Sequence, residues 1–171
     1  MKIVNALMLL LFLSLNSSLF AAASKQGHYG NIIISEVTSV EKGEAFDIFI
    51  NGWPEIWQKT TVLMAGIDCP NMNSRHDIVK QKAQEARAFT EKALKNAKVI
   101  ELREMRRAGS PGTITGEVYV DEQNLADLLL SANLAVPYDS RGPAADWFRL
   151  LATDEEIEEY AQQTYGNYPG C

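Results

Sequence analysis

A single long amphipathic helix with β-rich segments on both sides is the feature that most constrains the fold of this chain. Residues 77–96 carry apolar side chains at helical spacing and charged side chains on the opposite face. β-Branched content and apolar–polar alternation predict three strands before this helix and two after it, over residues 32–40, 46–50, 56–67, 99–105 and 113–120. Five strands with a helix after the third are typical of a small Greek-key barrel. We therefore predict an α+β, β-rich fold: a five-stranded OB-fold barrel with helices.

Shorter helical patterns follow the fifth predicted strand. Residues 124–132 form a short apolar helix pattern, and residues 144–151 suffice for one or two helical turns. Thr153 and Glu156 have the spacing of a capping box, which predicts the start of a final helix. Since no internal repeat or low-complexity linker divides the chain, we expect one domain over residues 24–171.

The first 23 residues have the composition of a secretory signal peptide. Lys2 supplies a positive charge, residues 6–15 are apolar, and residues 21–23 are three alanines suited to cleavage. The alternative is a membrane anchor, but the apolar run is about half of the roughly 20 residues that a spanning helix needs. We therefore expect residues 1–23 to be removed. The mature chain would then be exported to the periplasm or the medium, without a membrane span.

The charge balance argues against nucleic acid as the main partner. The chain has 16 Lys+Arg against 22 Asp+Glu, a formal charge of −6. Removal of the first 23 residues takes away one lysine and no acid, so the mature charge becomes −7. An acidic surface repels phosphate backbones on average, which disfavours a general DNA-coating role.

Several motifs resemble the staphylococcal nuclease family, the thermonuclease-like domains. The sequence EARAFTEKALKNAKVIE over residues 85–101 is similar to the family's first helix and the strand after it. The sequence GIDCP over residues 66–70 resembles the family's G-[IV]-D-x-P-E element, and residues 116–120 and 124–126 resemble its later strand and second helix. The resemblance covers about residues 32–168 and implies the nuclease-like OB fold for nearly all of the mature chain.

The resemblance also assigns the positions at which the family cleaves phosphodiesters with two arginines and one glutamate. Here those three positions hold Leu63, Asn71 and Thr115. Leucine and threonine bring no positive charge to the phosphoryl oxygens, and asparagine cannot act as a base at neutral pH. Loss of one preorganised charge-stabilising donor typically lowers the rate by about 10²–10³, so we expect no useful nuclease activity. The alternative is an arginine that reaches in from a nearby segment: Arg75, Arg103, Arg106 or Arg107.

The family's metal site is only partly matched. Its members hold Ca²⁺ with two aspartates and a backbone carbonyl, and the matching groups here are Glu44, Asp68 and the carbonyl of Cys69. Lys42 adds a positive charge close to Glu44 in the chain. Two carboxylates and a carbonyl completed by water make at best a weak Ca²⁺ site. We expect no cofactor, and the favoured interpretation is two solvated acids at strand ends.

The two cysteines, Cys69 and Cys171, can pair once the chain is exported. Their bridge would close a loop of about 100 residues, and it would contribute at most about 4–5 kcal/mol in the chain-entropy model. The alternative is one semi-buried thiol and one free thiol in the tail. We predict the disulfide, since a cysteine at the end of an exported chain is otherwise a reactive liability.

Trp53 and Trp57 lie in the apolar sequence WPEIW. Exposed aromatic side chains often mark a protein interface, so these two are candidates for binding a partner. The alternative is that they cap the barrel.

Together these features favour an exported, catalytically inactive nuclease-like domain that acts as a binding or structural module. The expected partner is a protein of a cell-envelope assembly. Two alternatives remain. One is a weak or altered Ca²⁺-dependent phosphodiesterase that acts on exported or incoming nucleic acid. The other is a binder of single-stranded nucleic acid.

Overall fold

The computed structural model describes residues 30–53 and 56–165, without the side chains of residues 51–53, 56 and 165. The predicted signal peptide over residues 1–23 lies outside the described residues. In chain order the described elements are β1 (Ile32–Ile34), β2 (Val37–Val40), β3 (Ala45–Trp53), β4 (Ile56–Met64), β5 (Ile67–Asp68), α1 (Asp77–Asn96), β6 (Ile100–Arg107), β7 (Thr113–Val120), β8 (Gln123–Asn124), α2 (Leu125–Ser131), β9 (Val136–Pro137), α3 (Trp147–Leu151) and α4 (Asp154–Tyr165).

The main sheet is curled, and its two edge strands follow one another directly in the sequence. Its strands run in the order β1-β6-β7-β4-β3-β2, with β8 added against β7. Along that order the pair β4–β7 is parallel and the others are antiparallel. β1 and β2 stand at opposite ends of the order, yet only Ser35 and Glu36 separate them in sequence. The predicted strand over residues 32–40 is therefore two short strands with different partners, and the OB-like curled sheet confirms the predicted α+β fold class.

The core lies inside this curl and beneath α1. Its fully buried side chains include Phe46 and Ile48 of β3, Val62 of β4 and Leu102 of β6. The predicted helix over residues 77–96 is confirmed with the same bounds. One face of α1 packs onto the sheet and contributes the buried residues Val79, Ala83, Ala86, Thr90 and Leu94.

The predicted strand over residues 56–67 ends earlier than its composition indicates. β4 stops at Met64, and Gly66 adopts a φ of +84°, a left-handed conformation that glycine enters without steric cost. After this turn Ile67 and Asp68 leave the main sheet and pair with β9. The turn therefore carries Asp68 to the end of the barrel, away from the ladder of β4.

The predicted strand over residues 46–50 is shorter than the one observed. β3 continues through Asn51 and Gly52, and Trp53 pairs with Ile56. A register shift between Asn51 and Trp53 accommodates the longer strand. Trp53 therefore lies in β3 and Trp57 in β4.

The predicted capping box at the start of the last helix is confirmed. The Glu156 carboxylate accepts the Thr153 backbone N–H at 2.8 Å, and the Thr153 hydroxyl accepts the Glu156 N–H at 3.3 Å. The short helix before it, α3, is capped by the Asp146 side chain, which accepts the Arg149 N–H at 3.2 Å. Within the described part of the chain, none of the helices combines the length and the apolar character needed to cross a bilayer.

Candidate functional site

A cleft of about 930 Å³ opens where the end of β4, β5 and the middle of β7 meet the turn before β3 and the loop after β9. It brings together Glu44, Leu63, Asp68 and Thr115, the four side chains there that the resemblance matches to site positions of the family. Acidic residues outnumber basic ones in its described lining. The charged groups there are Glu44, Asp68, Glu104, Glu117 and Asp139 against Lys42 and Arg106.

Leu63 and Thr115 are direct neighbours in one wall of this cleft. They are partners in the parallel pairing of β4 with β7, and Ala45 is the partner of Leu63 on the other side. The three adjacent strands thus present an alanine, a leucine and a threonine at this level. None of these side chains can neutralise the charge of a phosphoryl group.

Arg106 is the arginine that the fold brings to this wall. The pairing of β6 with β7 shifts by one residue between Arg103 and Arg106, and Glu104 within the shift has a φ of 51°. Such a bulge re-aims the side chains that follow it. Because of the shift Arg106 lies opposite Thr115, whereas an unbroken register would place it opposite Ile114.

The other three arginines considered in the sequence analysis lie elsewhere. The Arg103 guanidinium stacks 3.9 Å from the centre of the Tyr119 ring. Arg75 donates a hydrogen bond to the Tyr160 hydroxyl at 3.0 Å. Arg107 lines a separate cavity at the other end of the barrel.

The Asp68 carboxylate is held by protein donors. Its Oδ2 accepts the backbone N–H of Ala145 at 3.0 Å and the indole N–H of Trp147 at 3.2 Å. Trp147 itself is buried. No local sequence pattern predicts this contact, since the two residues lie 79 positions apart in the chain.

Glu44 is in an unfavourable environment for a charged ligand group. Burial raises the pKa of Glu44 above its usual range, and the charge of Lys42 and hydrogen bonding with Cys69 oppose this rise only in part. Its Oε2 atom is buried and has no hydrogen-bond partner. Among the residues that the structure describes, no group of three or more His, Cys, Asp and Glu side chains is placed to hold a metal ion.

Asn71 does not join the other two catalytic positions. It is exposed, and it lines a second cleft on the side of α1 rather than the one that contains Leu63 and Thr115. Its Oδ1 accepts the Asn73 backbone N–H at 2.9 Å, which stabilises the turn after β5. The three positions that the resemblance assigns to catalysis are therefore divided between two surfaces.

Cys69 is a buried thiol, and burial raises its pKa well above the usual range. Gly43 packs so closely against it that a Cβ on Gly43 would lie 2.7 Å from the Cys69 sulfur. Cys171 lies outside the described residues, so the bond between the two cysteines stays a prediction.

Trp57, one of the two aromatic candidates, lies on the outer face of the β3–β4 ladder together with Phe49. Trp57 is 58% exposed and Phe49 is 38% exposed. Asn51 pairs with Trp57 and Phe49 pairs with Lys59, so the two rings share one face of the sheet as diagonal neighbours. The side chain of Trp53 lies outside the described residues.

A family model described as staphylococcal nuclease homologue matches residues 61–165 of the chain. The match begins within β4, includes Leu63, Asp68 and Thr115, and ends at the last residue of α4. It spans more than half of the 171 residues. No curated protein matches the chain.

Proposed function

Because the chain belongs to the staphylococcal nuclease family, we propose that it is an exported member that binds another protein of the cell envelope and does not cleave nucleic acid. The observation that carries this proposal is the direct pairing of Leu63 with Thr115 in the wall of the cleft. A phosphodiesterase needs positive charge at the phosphoryl oxygens, and neither of these side chains supplies it.

The two acids of the cleft support the same conclusion. The Oδ2 atom of Asp68 already accepts the N–H groups of Ala145 and Trp147. Burial raises the pKa of Glu44 and so disfavours the charged form of its carboxyl group. A divalent cation favours charged, accessible carboxylates, so this pair is a poor Ca²⁺ site.

The outer face of the β3–β4 ladder supports a protein partner. Trp57 and Phe49 form an exposed apolar pair, with Lys59 beside them on β4. Large aromatic side chains dominate the binding energy of protein interfaces. Phosphate backbones, in contrast, are repelled by a chain of net charge −6.

A second candidate function is an altered nuclease, and Arg106 is the observation that favours it. The bulge in β6 places Arg106 opposite Thr115, in the wall of the cleft. An arginine there has the charge and the planar donor geometry to contact a phosphate. This activity would depend on one arginine, with no carboxylate base at the position of Asn71.

The experiment that separates the two functions is a digestion assay of single- and double-stranded DNA and RNA, with Ca²⁺ and with Mg²⁺. We expect no cleavage by the wild-type protein. Cleavage that Arg106→Ala abolishes and Arg141→Ala leaves intact would overturn the inactive assignment in favour of the altered nuclease. Binding of a single-stranded oligonucleotide without cleavage would instead support the single-strand binder.

The protein-binding part is tested by cross-linking in intact envelopes followed by mass spectrometry. We expect a discrete cross-linked partner with the wild-type protein and with Ile33→Ala, a control at another exposed apolar residue. Trp57→Ala should lose that partner. Retention of the partner by Trp57→Ala would remove this face from the interface.

A further inference from the structure

A second cleft, of about 520 Å³, lies at the N-terminal end of α1. It is formed by the loop after β5, the first turn of α1, α3 and α4, and it shares no lining residue with the first cleft. Asn71 lines this second cleft, whereas Leu63, Thr115 and the exposed β3–β4 face do not. The other groups of its lining have no counterpart among the positions that the resemblance assigns to catalysis.

Three aromatic rings form one side of this second cleft. His76 stacks on Phe148 with ring centroids 3.8 Å apart, and Tyr160 contacts both rings edge-on at 4.8 and 5.4 Å. All three rings are partly exposed, and Val79 beneath them is buried. A rigid, partly exposed aromatic surface of this kind can bury an incoming ring at low cost in conformational entropy.

Two arginines stand at the same cleft. Arg75 donates to the Tyr160 hydroxyl at 3.0 Å, which holds its guanidinium against the aromatic rings. Arg149 is 74% exposed at its side chain, and its ion pair with Asp146 is a loose one at 3.6 Å. The described lining of this cleft contains two arginines and a single acidic residue, Asp146. The cleft thus has a positive charge balance, whereas the chain as a whole is acidic. Guanidinium groups in such a setting pair well with carboxylates.

The acidic helix beside the cleft, α4, disfavours a long polyanion. α4 begins with Asp154, Glu155 and Glu156, and further acids follow at Glu158 and Glu159. A phosphodiester carries one negative charge per nucleotide, so an extended strand would be repelled as it passed α4. A ligand with a single carboxylate next to an apolar group would be repelled less by the acids of α4, because its one charge can pair with Arg75 and Arg149.

We propose that this cleft binds a peptide segment in which an acidic side chain lies next to an aromatic one. The carboxylate pairs with Arg149 and Arg75, and the ring packs against Phe148 and Tyr160. This inference rests on the proposed protein-binding function and names the chemistry of a segment of that partner. It assigns the contact to a surface separate from Trp57.

The test is fluorescence anisotropy of the purified protein with the labelled peptide Gly-Asp-Phe-Asp-Gly. We expect a Kd below about 1 mM that weakens at least about tenfold with Arg149→Glu. The matched control is Arg141→Glu, which makes the same charge change at an 89% exposed side chain outside this cleft and should weaken binding less than about twofold. Gly-Lys-Phe-Lys-Gly and Gly-Asp-Ala-Asp-Gly should each bind at least about tenfold more weakly than the first peptide.

Absence of binding, equal effects of the two arginine variants, or equal binding of the lysine peptide would overturn this inference. Stronger binding of a short oligothymidylate, lost with Arg149→Glu, would also overturn it, because the site would then take a polyanion. These outcomes are distinguishable from failure of the proposed function. If the cleft does not bind the peptide, the cross-link that depends on Trp57 is still expected. Nucleic-acid cleavage that depends on Arg106 would overturn the proposed function by itself.

Discussion

Trp147 donates its indole N–H to the Asp68 carboxylate at 3.2 Å and so holds the start of α3 against the end of β5. The backbone N–H of Ala145 donates to the same oxygen at 3.0 Å. The aspartate that the family would use for metal is thus part of a structural contact. We therefore expect removal of the Asp68 side chain to lower the stability of the fold, whatever its effect on activity.

The substitution Trp147→Phe should lower the free energy of unfolding by about 1–3 kcal/mol, because Asp68 loses a donor to its charge while most of the buried ring is kept. Urea denaturation measures the change. Trp57→Phe is the matched control at an exposed tryptophan, and it should change stability by less than about 0.5 kcal/mol. Equal losses in the two variants would contradict a structural role for the Asp68–Trp147 bond.

The substitution Gly43→Ala should also destabilise the protein. An added Cβ would lie 2.7 Å from the Cys69 sulfur and 2.8 Å from the Ala86 Cβ, so the turn before β3 or helix α1 must move. Overpacking of this kind costs about 1–3 kcal/mol, which thermal unfolding detects. Gly109→Ala is the control, since nothing lies within 4 Å of a Cβ at that position. An unchanged Tm for Gly43→Ala would show that the contact yields easily.

Asp47 should give the protein a stabilising contribution that disappears in acid. Its side chain is nearly buried, and burial raises its pKa. Hydrogen bonds from Lys59, Thr61 and Ser39 outweigh that effect and hold the pKa below its usual 3.8. A carboxyl whose folded pKa is lowered contributes its stability above the unfolded pKa and loses it as the pH falls through the folded value.

We therefore expect Asp47→Asn to be less stable than the wild type by about 1 kcal/mol at pH 7. This difference should shrink as the pH falls below about 3.8. Urea titrations between pH 2 and 7 measure it. A difference that grows toward low pH would contradict the stated direction of the pKa shift.

Calcium should have little effect on this protein. With Asp68 bound to Ala145 and Trp147 and with burial raising the pKa of Glu44, we expect about 10 mM CaCl₂ to raise the unfolding free energy by less than about 0.5 kcal/mol. Thermal unfolding with and without EDTA provides the measurement. A larger rise that Asp68→Ala removes would establish a real metal site.

The predicted Cys69–Cys171 bond is tested by the intact mass of the protein isolated from the cell envelope. We expect the mass to increase by two hydrogens on reduction, and reduction to lower the unfolding free energy by at most about 4–5 kcal/mol. Without reductant, unfolded protein should not react with a thiol reagent. Two reactive thiols in the unfolded, unreduced protein would instead favour the free-thiol alternative.

Local sequence patterns were sufficient for several elements. The apolar spacing over residues 77–96 determines α1, because a helix needs one continuous apolar face and the sequence supplies it without interruption. Thr153 and Glu156 determine the start of α4 in the same way, since both partners of the capping box lie within one helical turn.

What the sequence by itself determined was therefore the kinds of elements, their order, and the absence of an arginine at Leu63 and Thr115. Only the tertiary structure decided which side chains meet. The bulge between Arg103 and Arg106 depends on how β6 fits against β7 around the curl, and it places Arg106 beside Thr115. The bond between Asp68 and Trp147 likewise depends on the packing of segments 79 residues apart. Contacts of this range carry no local periodicity, because strand register and helix docking are set by the shape of the whole core rather than by neighbouring residues.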